Sequence, residues 1–167
     1  MRVYKIEMNQ FIKRPLLEVF EFFSRPENLA QITPGKLNFK ILTPGVLEMK
    51  EGAIIDYTIK LFNIPIHWRT LITTYEAPYK FVDEQVKGPY AFWHHTHIFK
   101  EVRGGVEIHD SVSYSIPFGV IGRILHILWI KRDLQYIFEY RKNVIDTIFS
   151  KNIESKQLPH SKKVRIA

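Results

Sequence analysis

From residue 36 to residue 117 apolar and polar residues alternate with a period of two, in short runs broken by turn residues; a single long helical period follows. Few folds accommodate that order. Leu37, Phe39 and Ile41 share one face of a predicted strand that ends at Pro44 and Gly45. Ile55, Tyr57, Ile59 and Leu61 share a face of the next, before a turn at 63–65. Ile66, Trp68, Thr70 and Ile72 follow, closed by Ala77 and Pro78; Phe81, Asp83 and Gln85 then run to Gly88 and Pro89. Trp93, His95, His97 and Phe99 lead into Gly104 and Gly105, a strong hairpin signal, and Ile108, Asp110, Val112, Tyr114 and Ile116 return to Pro117. Successive hairpins of this kind predict an antiparallel meander of about six strands.

The elements on either side complete the pattern. Tyr4, Ile6 and Met8 alternate with Lys5, Glu7 and Asn9, which predicts a half-buried strand over 2–12. Leu16, Val19, Phe20 and Phe23 have the spacing of a short amphipathic helix with Pro15 in its first turn. Ser24 and Glu27 read as a capping box for a second short helix over 26–32. At the other end, one helix is expected over 119–150, its buried stripe formed by Val120, Ile124, Ile127, Leu134, Phe138, Ile145 and Ile148. The expected fold is α+β: a curved antiparallel sheet of about seven strands wrapped on a long C-terminal helix, with two short helices between strands 1 and 2.

Residues 1–150 are expected to form one domain, and 151–167 a basic, disordered tail. That tail holds five of the basic residues against Glu154, which accounts for +4 of the net charge of +7. The remaining excess on the folded part is too small to suggest a nucleic-acid partner. With no cysteine, the chain has neither a disulfide framework nor a thiolate nucleophile. Charges at Arg2, Lys5 and Glu7 break up any leader-like apolar run, so a cytoplasmic protein is expected. No glycine-rich nucleotide loop precedes a helix, so no cofactor is expected.

Three strings carry a resemblance: SRPENLAQITP (24–34), FVDEQVKGPYAFWHHTHIF (81–99) and DSVSYSIPFGVIGRIL (110–125). Together with the order of elements they resemble the START and birch-pollen-allergen superfamily, SRPBCC, in its bacterial ligand-binding, polyketide cyclase/dehydrase-like branch. The resemblance covers residues 1 to about 150. It implies a helix-grip fold and a cavity between sheet and helix that takes a small hydrophobic ligand, lipid-like or polycyclic.

The hairpin arithmetic places polar residues on the apolar face. If Gly88 and Pro89 centre one hairpin and Gly104 the next, Asp83 faces His95, Gln85 faces Trp93, His97 faces Asp110, and His95 faces Val112. Three readings fit the cluster: buried ions paired for structure, polar groups that orient a ligand, or acid–base pairs of His95 or His97 with Asp83 or Asp110 in a cyclase or dehydratase. The expected ligand-binding set is Tyr57, Trp68, Phe81, Asp83, Gln85, Trp93, His95, His97, Phe99, Asp110, Val112, Tyr114, Ile124 and Leu128. His95, His97 and Asp110 form the one set with metal-ligand character, but the two aspartates can satisfy both imidazoles, and no metal is expected.

The run GVIGRILHILWI (119–130) is apolar nearly all round, with only Arg123 and His126 interrupting it. It reads as a buried helix start over the cavity mouth. Its other readings are a lid, a homodimer contact through Trp129, or a membrane-docking face for lipid transfer with Arg123, Lys131 and Arg132 beside it. Monomer and homodimer both remain open.

Overall fold

The computed structural model describes residues 2–45 and 47–157, with side chains as far as Ser150. Seven strands form one antiparallel sheet: β1 (Val3–Ile12), β2 (Lys40–Ile41), β3 (Ile54–Leu61), β4 (Ile64–Glu76), β5 (Lys80–Lys87), β6 (Phe92–Val102) and β7 (Gly105–Ser115). Their order is β1-β7-β6-β5-β4-β3-β2. From β7 to β2 every pair of neighbours is consecutive in sequence, and β1 closes on β7 with Tyr4 against Tyr114 and Gln10 against Ile108. This is the predicted meander.

The helix α1 (Leu16–Phe23) buries its whole apolar stripe, Leu16, Val19, Phe20 and Phe23. Two short 3-10 turns follow, Pro26–Ala30 and Gly35–Leu37. Two local expectations fail in this stretch. The capping box does not form: Ser24 ends α1, with its hydroxyl on the Glu21 carbonyl, and Arg25 is the cap of the next turn. The strand expected through Leu37, Phe39 and Ile41 shrinks to Lys40–Ile41, because Asn38 takes a left-handed φ of 43° and breaks the extended chain.

Turns decide which side chains face inward. The β3–β4 connection is a two-residue turn at Phe62 and Asn63, both with positive φ, rather than a turn at 63–65. In β4 an extra residue between Ile72 and Thr74 forms a bulge, which brings Tyr75 to the core side against Phe20.

The last element is continuous but not uniform. It comprises α2 (Gly119–Leu125), a π-helical stretch (His126–Ile130) and α3 (Lys131–Gln157). The helix therefore runs beyond residue 150; residues 158–167 lie outside the described residues. In α3 the expected stripe holds, with Leu134, Phe138 and Ile145 buried. In α2 it is reversed: Val120, Ile124 and Ile127 face outward, while Gly122 and His126 face the protein. Gly122 packs so tightly against the chain that a Cβ would lie 2.0 Å from the Pro117 carbonyl oxygen. The wider π turn shifts the helical register between the two halves.

Two buried clusters hold helix and sheet together. One joins Ile12, Phe20, Phe99, Ile108, Ile145 and Phe149; the other joins Val112, Tyr114, Leu134 and Phe138. Gln10 adds a polar tie from β1 to α3, its amide donating to the Lys142 carbonyl at 3.0 Å and to Asp146 Oδ1 at 2.8 Å. Among the described residues, no helix is long and apolar enough to cross a membrane.

Candidate functional site

Between the two clusters, sheet and helix do not meet, and a cavity of about 160 Å³ remains. One wall is the sheet, with Ile55, Tyr57, Ile59, Trp68, Thr70 and Ile72 from β3 and β4. Asp83 on β5, with Trp93, His95 and His97 on β6, continues that wall. Leu134, Ile137, Phe138 and Arg141 of α3 form the roof, and Leu29, Ile32, Leu37 and Phe39 close one end. The aromatic lining is interlocked, with the Trp68 ring edge-on to Trp93 at 5.3 Å and stacked on Tyr57 at 5.8 Å.

The ladder places the polar cluster where strand pairing predicted it. Asp83 lies opposite His95, His97 opposite Asp110, and His95 opposite Val112. The two imidazoles, 3.8 Å apart between ring centres, sit between the two carboxylates. His97 Nδ1 is 2.6 Å from Asp110 Oδ1, and its Nε2 is 3.1 Å from Asp83 Oδ2. His95 Nδ1 is 3.3 Å from the same Asp83 oxygen, while its Nε2 is 3.9 Å from Asp110 Oδ1.

A carboxylate at each ring nitrogen requires both nitrogens of His97 to donate, so His97 is the imidazolium. Burial alone would oppose that charge, but Asp110 and then Asp83 outweigh it and raise the pKa to about 9. His95 goes the other way: burial and the neighbouring His97 charge push its pKa down. Burial would raise both aspartates, yet the imidazoles hold them below the ordinary carboxylate range. The cluster is thus an ion triad of His97 with two carboxylates, beside a neutral His95. Of the acid–base candidates, His97 has no free lone pair with which to accept a proton, and only His95 retains one.

Seven of the expected ligand-contacting residues line the cavity: Tyr57, Trp68, Phe81, Asp83, Trp93, His95 and His97. The other seven do not. Gln85 lies beyond the end of the β5–β6 ladder, which stops at Glu84 and His94. Its amide instead donates to the Tyr90 carbonyl at 2.7 Å and accepts from the Tyr90 N–H at 3.3 Å, bracing the turn. Asp110 is buried behind the histidines, and Phe99 and Val112 belong to the packed clusters. Tyr114 bonds through its hydroxyl to His126 Nε2 at 2.9 Å. Ile124 and Leu128 are half exposed, on the outward face of the helix start.

Of the lining residues absent from the expected set, Arg141 bears most on the chemistry. Arg141 projects from α3 into the apolar roof and has no ion-pair partner among the described residues. A lone arginine on the apolar side of the helix was its only signal. Trp68 Nε1, His95 Nε2 and Arg141 Nε are buried without hydrogen-bond partners, and all three residues line this cavity. For a metal, the donor set the structure brings together is Asp83, His95 and His97, all within 4.8 Å. Asp110, which the sequence grouped with His95 and His97, is instead an outer carboxylate on His97.

No family model matches the sequence, and no curated protein matches it. Solved structures do match in shape. The di-domain ARO/CYC StfQ of the steffimycin biosynthetic pathway superposes with a TM-score of 0.69 at 11% identity, over 91% of this chain and 52% of that one. The protein TTHA0849 from Thermus thermophilus gives 0.66 at 11%, over 89% and 99%. Ginseng major latex-like protein 151 from Panax ginseng gives 0.63 at 12%, over 88% and 97%. The chain has the helix-grip fold. At such identities the likeness concerns fold, the one that the resemblance to SRPBCC proteins implies; function rests on the site.

Proposed function

We propose that this protein reversibly binds a small hydrophobic molecule carrying one polar end, seated between the sheet and α3. The observation that carries this reading is the trio of unpartnered polar atoms around an apolar cavity. Burying a donor without an acceptor costs about 1–3 kcal/mol, and such groups are uncommon in folded proteins. An oxygen on the ligand would accept from the Trp68 and Arg141 N–H groups, while Tyr57, Ile59, Ile72, Trp93 and Phe138 enclose its apolar body. A cavity of about 160 Å³ suits a ligand of roughly ten to fifteen heavy atoms, if each takes about one water-sized volume. A medium-chain fatty acid or a fused bicyclic ring is of that size.

The test uses 2-naphthoate, a fused bicyclic anion within the size the cavity admits, with native mass spectrometry of the purified protein alongside. One probe per chain is expected, with quenching of tryptophan emission. Ile59→Phe and Ile55→Phe, which fill the cavity from two positions on β3, should each weaken binding about tenfold while preserving the circular dichroism spectrum. Unchanged probe affinity in both folded variants would refute the assignment.

A further inference from the structure

We propose that the outward face of α2 and the π-helical stretch, together with the β3–β4 turn, docks on an anionic phospholipid bilayer. The reversed helix start carries the argument. Its protein-facing positions are Gly122 and His126, a glycine and an imidazole rather than large apolar side chains, and His126 is held there by Tyr114 and by stacking on Tyr4 at 3.6 Å. Its outward positions are large and apolar: Ile121 is 65% exposed, Ile127 70% and Trp129 54%. Contiguous exposure on this scale marks an interaction surface on a globular fold.

Two strained phenylalanines extend the same surface. Phe62, 82% exposed, and Phe118, 77% exposed, both have left-handed φ, 51° and 69°, a conformation that bulky residues avoid. Each is held at a turn with its ring in solvent. Phe62, Phe118, Leu128 and Trp129 line one groove.

Charge selects the occupant. No acidic residue lies between Asp110 and Asp133, a span that includes Arg123, Lys131 and Arg132, and Lys60 flanks the turn. Asp133 itself is paired with Lys36. A second copy presenting the same basic rim across a two-fold axis would be repelled, whereas anionic headgroups complement that rim and the apolar residues enter the acyl boundary. The groove shares Leu37, Leu61, Tyr90 and Leu134 with the cavity, which offers a route for a ligand leaving the bilayer. That loading step rests on the cavity reading; docking does not.

Sedimentation with vesicles of 70:30 phosphatidylcholine to phosphatidylglycerol tests docking. The wild type is expected to pellet with these and not with pure phosphatidylcholine, and to be released by high salt. Phe62→Ser and Trp129→Ser should each reduce binding about tenfold, and Arg123→Glu with Lys131→Glu should abolish the lipid-charge dependence, all with unchanged unfolding midpoints. Absence of binding to anionic vesicles overturns the proposal, as does equal binding by the folded variants. A wild-type dimer that Trp129→Ser dissociates, seen by sedimentation equilibrium, overturns it in favour of a second copy. In the Ile59→Phe variant, vesicle binding should persist; loss of probe uptake in that variant alone concerns the cavity.

Discussion

Replacing Asp110 by Asn removes the stronger of the two carboxylates that keep His97 charged. Burial works against the imidazolium, but Asp110 at 2.6 Å, and then Asp83, raise its pKa from 6.5 to about 9. At about 1.4 kcal/mol per tenfold change in proton affinity, that difference amounts to roughly 3 kcal/mol of folding stability. Because the pKa is higher in the folded state, this contribution is complete below pH 6.5 and is lost as pH rises through about 9. The aspartates have the opposite sign: depressed in the folded state, they contribute above about pH 4 and lose that contribution on further acidification. In Asp110→Asn, His97 keeps only Asp83, and burial drives it towards the neutral form. The variant should be about 3 kcal/mol less stable than wild type at pH 6, in line with the usual cost of breaking a buried pair. For a chain of this size that is a Tm lower by roughly 6–12 °C. At pH 10 the wild type has itself lost the proton, and the gap should shrink below about 1 kcal/mol. Urea unfolding followed by tryptophan fluorescence at pH 6, 8 and 10 reads this directly. A gap that stays constant across that range would show that Asp110 acts through packing or hydrogen bonding, not through charge, and would refute the ion-triad description.

Other expectations follow from single contacts. Gly122→Ala should cost about 2 kcal/mol in urea unfolding, because its Cβ meets the Pro117 carbonyl at 2.0 Å and backbone must move. Gln85→Ala removes both hydrogen bonds to the Tyr90 backbone and should cost about 1–2 kcal/mol, with faster hydrogen exchange at Tyr90. Phe62→Asn, better suited to a two-residue turn with positive φ, should raise the unfolding midpoint by a few degrees; an unchanged or lower midpoint would show that Phe62 is not strained.

Alternation and turn residues were enough to read the sheet, because one buried face fixes register and hairpin centres fix opposition; Asp83 with His95 and His97 with Asp110 follow from that arithmetic. Where the physics is not periodic, the sequence is silent. Asn38 ends a strand through one left-handed residue, and the loss of Gln85 from the ladder depends on a side chain capturing its own turn. The reversed face of α2 could not be read from helical spacing either. A stripe of Val120, Ile124 and Ile127 looks like core unless the π turn and the tight seat of Gly122 are known. Arg141 was invisible for a related reason: that it faces a cavity rather than water depends on how far the sheet curves from α3.

The most direct test of the central claim is a crystal structure with 10-bromodecanoate, its bromine located by anomalous scattering. The bromine is expected inside the cavity among Tyr57, Ile72 and Phe138, with the carboxylate within hydrogen-bond reach of Trp68 Nε1 and Arg141 Nε. Bromine density only in the outer groove by Phe118 and Trp129, with the cavity lining unchanged, would contradict it.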